Sequence, residues 1–484
     1  MKILKDLEPA SIFEYFEQIS AIPRGSGSEK AISDFMVSFA ENLGLWVRQD
    51  EAYNIYIKKP ASPGYEKAPV VILQGHMDMV CEKNKEVLHD FETEGLKLTI
   101  DGDYIRAQGT TLGADNGIAI AYQMAVLADQ TLKHPALEIL MTTDEERGMT
   151  GVSLLHPEYL EGKILINLDT DVEGEFLVSC AGGVRAYITL PLVYEPISQT
   201  AKTYSLRING LLGGHSGADI HLERANAHIV MGRVLGQLRK QFPFGLCEII
   251  GGTKDNVITR ECEVILAIES GEESLLQHAV KAFESVLKNE YSEHDGQINI
   301  TFTEVNHNGA VFNQETADKI IDLLMVIPNG IISFDQCMAG LVQTSLNLGI
   351  IQEQGDKIKF GSAIRSSLPS KKQELIHKLE ILSKRFGGAF TISGDYPAWE
   401  YSKESSIRTL AGKLYEDMYG KEPSVKAIHA GLECGFISQK IPALDMIAFG
   451  PDVKDIHSPQ ERVSISSMIR VYEYLIKLLE NIVI

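Results

Sequence analysis

The chain has 484 residues and a formal net charge of −21, with 44% hydrophobic and 23% charged residues. This length favours about two domains, and the composition is typical of a folded globular protein. The negative charge argues against nucleic acid and anionic membranes as partners, because both attract basic surfaces. No apolar run reaches the roughly 18 residues of a membrane helix, and the six cysteines form no C-x-x-C pair. We therefore predict a cytoplasmic protein with reduced thiols.

The first ~185 residues alternate short apolar strands with amphipathic helices, a pattern typical of an α/β layer fold. Helices are predicted at 10–20, 28–43 and 116–128, and strands at 53–58, 69–74, 136–142 and 163–168. We expect a central, mostly parallel sheet flanked by helices.

Three of these predicted strands share one form. The segments "VVILQGH", "LEILMTTDEE" and "ILINLDTD" each run from apolar residues into polar or acidic ones. Ligands of open α/β sheets bind beyond the carboxyl ends of the strands. We therefore expect these three strand ends to meet in one crevice.

Residues 186–399 have a different pattern, with strand and helix units but no acidic strand ends. A helix is predicted there at 221–240. This stretch falls into two halves of similar element order, which leaves an internal duplication open. The tail then returns to the first pattern, with a helix predicted at 406–419. We therefore predict a catalytic domain made of 1–185 and 400–484, interrupted by a two-lobed α+β domain at 186–399.

Six residues could ligate metal or act beside it: His76, Asp115, Glu145, Glu146, Asp169 and His457. Zinc binds imidazole nitrogens and carboxylate oxygens, and a two-metal site shares a ligand between ions about 3.5–4 Å apart. Each residue alone has a simpler explanation; Asp115, for example, could be a helix N-cap. Together, at compatible strand ends, they favour a metal site.

The adjacent glutamates, Glu145 and Glu146, are the most informative of these residues. One can bind a metal while its neighbour faces the open coordination position. That neighbour can accept a proton from metal-activated water and later protonate a leaving amine. Asp78 suits a supporting role, because a carboxylate usually accepts the free N–H of a metal-bound histidine such as His76.

These motifs resemble a known superfamily. "GHMDMV", "TTLGADNGIAIA", "TTDEERGMTG", "INLDTD" and "DIHSPQERV" are similar to motifs of the co-catalytic zinc aminoacylases, carboxypeptidases and dipeptidases. With "ISAIPRGSGSEK" and "HAGLECGFI", the similarity extends nearly from end to end and is greatest to the aminoacyl-histidine dipeptidase branch. The combination is far more specific than any single motif.

The resemblance implies a role for each metal-site residue. His76 and Asp169 would hold one ion, Glu146 and His457 would hold the other, and Asp115 would bridge the two. The ions would be zinc, with cobalt or manganese as alternatives.

The resemblance also implies the chemistry around the metals. Glu145 would be the general base, and Asp78 would orient His76. The peptide bond between Asp115 and Asn116 would be cis, which is costly for a residue other than proline.

The inserted domain would be a lid over a short peptide substrate. His215 would polarise the scissile carbonyl, Asn256 would contact the substrate, and Gly431 would line the site through its backbone. Arg365 would pair with the terminal carboxylate, whose geometry an arginine matches. A turn histidine and a surface salt bridge are the simpler explanations for His215 and Arg365.

The expected function is a metal-dependent dipeptidase, acting on Xaa-His peptides. An N-acyl amino acid amidohydrolase, a tripeptidase or a non-catalytic peptide- or metal-binding protein are the alternatives. Many relatives have a lid of half this length and dimerise so that the histidine comes from a partner chain. Action of His215 within its own chain and action across a homodimer both stay open.

Overall fold

The structure, a computed structural model, describes residues 3–307 and 309–483. The chain divides into two compact units. The first unit comprises Met1–Ser179, Tyr401–Ala427 and Leu432–Ile484, and the second comprises Cys180–Glu400 and Ile428–Gly431. Within the described ranges, every helix is too short or too polar to cross a membrane.

The first part of the chain contains five helices and eight strands among its described residues. The helices are α1 (Ala10–Ser20), α2 (Lys30–Asn42), α3 (Ala114–Ala128), α4 (Glu145–Gly148) and α5 (Thr150–Ser153). The strands are β1 (Trp46–Gln49), β2 (Ile55–Lys59), β3 (Val71–His76), β4 (Leu98–Asp101), β5 (Tyr104–Ala107), β6 (Leu137–Thr142), β7 (Ile164–Asn167) and β8 (Glu175–Cys180).

The middle of the chain contains more strand than helix. Its strands are β9 (Gly182–Pro191), β10 (Tyr194–Glu195), β11 (Ala201–Asn209), β12 (Gly214–His215), β13 (Gly245–Gly251), β14 (Val257–Ile258), β15 (Cys262–Glu269), β16 (Asn299–Val305), β17 (Val311–Phe312), β18 (Gly330–Phe334), β19 (Val342–Gln354), β20 (Lys357–Ser366) and β21 (Ala389–Tyr396). Its helices are α6 (Ala227–Leu238), α7 (Glu273–Glu290), α8 (Gln314–Val326) and α9 (Pro369–Arg385).

The last part of the chain returns to alternating elements. These are α10 (Ser406–Tyr419), β22 (Ser424–Ile428), α11 (Glu433–Lys440), β23 (Asp445–Ala448), β24 (Val453–Lys454), β25 (Arg462–Ser464) and α12 (Ile465–Asn481). Helix α12 buries Met468, Tyr472, Leu475 and Leu479, residues spaced three or four apart that form one apolar face.

The first unit is built on an eight-stranded sheet of order β1-β2-β6-β3-β7-β23-β8-β22. Its centre is parallel, with β3 between β6 and β7, and β23 beyond β7. Strands β3, β6 and β7 are buried along their whole length. Such continuous apolar runs are what a parallel sheet covered on both faces requires. The predicted α/β class with a mostly parallel central sheet is confirmed.

The second unit is built on an antiparallel sheet of order β16-β11-β15-β13-β19-β20-β9-β21, with β18 paired to β19. Its two halves repeat one pattern. The inner half comprises residues 201–305. From the edge of the sheet toward its centre, its strands are β16, β11, β15 and β13, which are the fourth, first, third and second of these strands in chain order. The outer half comprises residues 182–191 and 314–396. From the opposite edge toward the centre, its strands are β21, β9, β20 and β19, which are again the fourth, first, third and second in chain order. Each half also places one helix after its first strand and one after its third. The element order therefore supports the duplication.

One predicted helix of this unit begins later than expected. The sequence pattern predicts a helix from 221 to 240, but 220–222 form a 3-10 turn and Glu223 has a left-handed φ of 50°. Helix α6 begins only after Asn226, whose side chain accepts a hydrogen bond from the backbone N–H of His228. The cap, rather than the apolar periodicity, sets this boundary.

Candidate active site

The parallel strands bring three of the predicted site segments to one sheet edge. His76 is the last residue of β3, Glu145 follows β6 at the start of α4, and Asp169 follows β7. The register pairs His76 with Thr142 on β6 and Gln74 with Asn167 on β7. The three strand ends therefore meet, as their apolar-to-acidic sequences predict.

Asp115 reaches the same edge from the start of α3. Its peptide bond to Asn116 is cis, which confirms what the family resemblance implies. The Asn116 side chain accepts a hydrogen bond from the backbone N–H of His76 at 3.1 Å and donates to the carbonyl of Leu168 at 2.9 Å. One amide thus ties the start of α3 to two of the strand ends.

The two carboxylate oxygens of Asp115 face two different histidines. Oδ1 lies 3.1 Å from Nε2 of His76, and Oδ2 lies 3.3 Å from Nε2 of His457. Asp169 Oδ1 lies 3.7 Å from the same nitrogen of His76. Glu146 Oε2 lies 2.9 Å from Nε2 of His457. The site is therefore two donor clusters that share Asp115.

This donor set fits divalent cations. Imidazole nitrogens and carboxylate oxygens are the ligands that zinc prefers, and ligand atoms of His76, Asp115 and Glu146 all lie within 4.8 Å of one another. Nδ1 of His76 lies 3.3 Å from Asp78 Oδ1. That contact assigns the ring proton to Nδ1 and leaves Nε2 free to bind a metal.

The pKa values of the cluster reflect its excess of buried acids. Burial alone would lower the pKa of His76, but Asp169, Asp115 and Asp78 raise it well above its usual range. Hydrogen bonds to Asp115 and Glu146 raise the pKa of His457 to about 10. Burial, with neighbouring carboxylates, raises the pKa of Asp169 well above its usual range. The cluster therefore favours the binding of positive charge, which divalent cations can supply.

Asp78 organises the segment that carries the glutamate pair. Its carboxylate accepts hydrogen bonds from the backbone N–H groups of Glu145 and Glu146, at 3.1 and 3.3 Å. Ser26 adds a third, at 2.8 Å. Burial would raise the pKa of Asp78, but His76 and these donors lower it. Asp78 thus contacts both His76 and the start of α4.

Glu145 has the environment of a proton acceptor. Burial raises its pKa well above the usual range, and Asp169, Glu433 and Glu146 add to the rise while His76 opposes it. A carboxylate whose pKa is raised toward neutrality can take up a proton and return it.

The other predicted residues lie in the second unit. His215 ends β12, which pairs with β14, and the backbone N–H of Ser216 donates to the carbonyl of Asn256 at 2.9 Å. Arg365 lies on β20, 9% exposed, and donates to the Tyr396 hydroxyl at 2.9 Å. Gly431 lies in the loop between β22 and α11. The structure brings His215 and Arg365 together.

His215 and Arg365 each direct a hydrogen-bond donor toward the same point. His215 Nδ1 accepts from the backbone N–H groups of Gly217 and Ala218, at 3.3 and 3.0 Å, so Nε2 carries the proton. That nitrogen lies 3.4 Å from Nη2 of Arg365. Burial and the arginine charge lower the pKa of His215. Among the described residues no carboxylate pairs with Arg365, so an oxygen acceptor would satisfy both donors.

A second histidine lies in the same cluster. His429 Nε2 lies 2.7 Å from the Ser345 hydroxyl, and Ser345 is directly opposite Arg365 in the sheet. Burial, with the charges of Arg365 and His215, lowers the pKa of His429 to about 3. Its ring is therefore neutral at neutral pH.

The sequence-based prediction missed Glu433, a buried acid that contacts strands β3 and β6. Its Oε2 accepts from Gln74 Nε2 at 2.5 Å and from the Thr142 hydroxyl at 2.7 Å. Gln74 in turn accepts from Asn167 at 2.5 Å, which links the three strands. Burial raises the pKa of Glu433 to about 7. Its partners are distant in sequence, so only its place at the start of a helix marks it.

The fold and site agree with one family of metallopeptidases. Residues 72–481 match the model of peptidase family M20/M25/M40, and the chain belongs to this family. The resemblance drawn from the motifs is confirmed at the level of the family.

Two relatives match the chain over nearly its full length. The cytosol non-specific dipeptidase of Escherichia coli (strain K12) is 36% identical over 482 residues, which cover 100% of this chain and 99% of that protein. The crystal structure of the aminoacylhistidine dipeptidase from Vibrio alginolyticus is 37% identical, with a TM-score of 0.95, and the match covers 99% of this chain and 97% of that one.

A more distant structure shares the fold. A tripeptidase from Staphylococcus aureus is 15% identical with a TM-score of 0.55, covering 98% of this chain and 99% of that one. At this identity the likeness shows the fold alone.

Proposed function

We propose that the chain is a metal-dependent dipeptidase of the M20 family that hydrolyses short peptides, with Xaa-His dipeptides as the first substrates to test. The observation that carries the proposal is the placement of Asp115 between His76 and His457, one carboxylate oxygen toward each. The names of the E. coli and Vibrio relatives support the same substrate class.

In this proposal two divalent ions occupy the two donor clusters. His76 and Asp169 would hold one ion, Glu146 and His457 would hold the other, and Asp115 would be shared between them. Zinc is the first expectation, with cobalt and manganese as alternatives. Such ions supply Lewis acidity and lower the pKa of water toward neutrality.

The residues of the chain then divide the proton chemistry between them. Glu145 accepts the proton of the attacking water and later donates it to the departing amine. Asp78 holds the ring of His76 in the orientation that directs Nε2 to the metal. The raised pKa of Glu145 favours a carboxyl that can hold the proton between the two steps.

The second unit would bind the substrate as the lid domain of the family. Arg365 binds the terminal carboxylate, and the Nε2–H of His215 stabilises the oxygen of the scissile carbonyl as it gains charge. The two mutually facing donors support these roles. Asn256 and Gly431 would contact the substrate beside them. We further propose that the protein works in the cytoplasm, in line with the name of the E. coli relative.

A substrate panel tests the proposal. The metal-loaded enzyme is incubated with β-Ala-His, Gly-His, Leu-Gly, a tripeptide and an N-acetyl amino acid, with and without chelator, and free amino acids are measured by chromatography. We expect chelator-sensitive release from the dipeptides alone. Release only from the tripeptide or the acetyl compound would replace the dipeptidase by one of the two alternative hydrolases. No release at all would favour a binding protein.

A further inference from the structure

The turn that carries the bridging ligand is held by one carboxylate from a distant segment. Glu461 is 2% exposed and accepts hydrogen bonds from four consecutive backbone N–H groups. Its Oε2 lies 2.7 Å from the nitrogen of Leu112 and 2.9 Å from that of Gly113. Its Oε1 lies 2.8 Å from the nitrogen of Ala114 and 3.3 Å from that of Asp115. No single neutral side chain could accept all four without presenting a donor of its own.

Arg24 holds the same turn from the carbonyl side. Its Nη2 donates to the carbonyl of Gly113 at 2.5 Å, and its Nη1 donates to the carbonyls of Met77 and Asp78 at 3.0 and 3.2 Å. Gly113 has a left-handed φ of 64°, and a Cβ there would lie 2.5 Å from Arg24 Nη2 and 2.6 Å from Met79 Sδ. The turn therefore has little room to move.

Both charges are expensive to bury. Burial raises the pKa of Glu461, and hydrogen bonds from the backbone N–H groups of Gly113, Leu112 and Asp115 oppose that rise; burial lowers the pKa of Arg24. Their side chains hydrogen-bond to opposite sides of the Gly113 residue. A helix start that served only stability could be capped by a hydroxyl or amide at far lower desolvation cost.

The location of Glu461 suggests what the arrangement gains. It lies four residues after His457, in the segment that joins β24 to β25. One short segment thus supplies a histidine to one donor cluster and also fixes the residue that the two clusters share. Any displacement of that turn would move both oxygens of Asp115 away from their histidines.

We propose that Glu461 is a positioning residue of the metal centre, which sets the bridging carboxylate in place before metal binds. The inference rests on the proposed metal centre but not on the identity of the substrate. Supporting groups of this kind typically change metal affinity by about 10- to 100-fold when they are substituted.

The test compares two buried glutamates of the first unit. Glu461→Gln keeps the side-chain shape but directs an amide donor at the backbone N–H groups. Glu138→Gln is the matched control, because Glu138 on β6 is 3% exposed and accepts from the backbone N–H groups of Glu161 and Gly162 at 2.9 and 3.0 Å. Zinc affinity is measured by competition with a chromophoric chelator, without substrate, and thermal stability is measured alongside.

We expect both variants to lose thermal stability and only Glu461→Gln to lose zinc affinity, by about 10-fold or more. At saturating zinc, kcat should fall while KM changes little. Wild-type zinc affinity in a folded Glu461→Gln protein, or an equal loss in Glu138→Gln, would overturn the inference. If Glu461→Gln does not fold, Glu461→Asp, which keeps the charge on a shorter arm, should show the same selective loss. Wild-type protein that binds no zinc would instead overturn the proposed function.

Discussion

Each of the two units contains a cluster with two histidines. The surroundings shift the pKa values of these histidines in opposite directions in the two clusters. In the first unit, carboxylates raise the pKa values of His76 and His457. In the second, burial and the charge of Arg365 lower those of His215 and His429. The first cluster has an excess of negative charge, and the second has a buried arginine that pairs with no carboxylate in the described part of the chain. The unbalanced charge of each cluster therefore supports the proposed ligands, which are cations for the first cluster and an anionic oxygen for the second.

The largest effect should come from the acid that the proposal leaves free of metal. We expect Glu145→Gln to lower kcat by about 10³- to 10⁴-fold, because the amide cannot accept the proton of water. Zinc stoichiometry should stay at the wild-type value. Asp144→Asn is the control at the neighbouring position, where asparagine tolerates the left-handed φ of 55°. Substantial turnover by Glu145→Gln would contradict the assigned base.

Bound zinc should stabilise the protein through the donor clusters of the first unit alone, so removal of the metal should lower the free energy of unfolding. Free zinc at about 1,000 times its Kd should add about 4 kcal/mol to the free energy of unfolding, because only the native state offers the preformed site. Denaturant titration with and without zinc measures the gain. Asp115→Asn should abolish most of it, and Arg365→Met should leave it unchanged. An equal gain in wild type and Asp115→Asn would separate zinc binding from this site.

Arg365 should determine selectivity for a free carboxylate. We expect Arg365→Met to lower kcat/KM for Leu-Gly by about 100-fold, because a charge-assisted contact to the carboxylate is lost. The amide of the same dipeptide should be a poor substrate for wild type, and the variant should no longer distinguish acid from amide. Arg385→Met, at an exposed arginine of α9, is the control. Equal rates on acid and amide by wild type would argue against a carboxylate site.

The smallest effect concerns the pH dependence of stability. Burial lowers the pKa of His228 to about 4, and its Nδ1 lies 3.0 Å from the carbonyl of Leu348. An unfolded histidine has a pKa near 6.5, so below that pH the unfolded state takes up a proton that the native state excludes. The stability that neutral, buried His228 contributes to the native state is fully present above pH 6.5 and is lost as the pH falls toward 4.

Between pH 8 and pH 5 this loss should amount to about 2 kcal/mol. Unfolding titrations of His228→Asn across that range should show a smaller slope, whereas the exposed-site variant His278→Asn should follow wild type. A wild-type slope in His228→Asn would show that other groups carry the pH dependence.

The sequence predicts those parts of the molecule that depend on local pattern. The bounds predicted for 10–20 and 406–419 coincide with α1 and α10, because an apolar face marks both helices. Ser405 and Gly420 also mark the two ends of α10. Strands β3, β6 and β7 lie within two residues of the predicted ranges, because continuous apolar runs mark buried strands. The acids that follow them were found for the same reason.

Long-range features escaped prediction. Glu461 contacts residues nearly 350 positions earlier, and Glu433 contacts Gln74 across 359 positions. No local pattern encodes such contacts. Strand β9 also gave no sign that it is the first strand of the outer half, because its partners β20 and β21 lie beyond the whole inner half. The start of α6 was misplaced because a polar cap overrode the apolar periodicity.

The nested repeat of the second unit has a consequence for the order of folding. The inner half is continuous in sequence, so β11 can pair with β15 and β16 after closing shorter loops than the one that separates β9 from β20. Strand β9 must wait for β20, which is separated from it by that entire half. Contacts between residues distant in sequence form slowly, because loop closure must precede them. In pulse-labelled hydrogen exchange during refolding, we therefore expect protection of amides in β11 and β15 before those in β9 and β20. The inner half would then fold first, and the outer half would complete the sheet by pairing its strand β19 with β13.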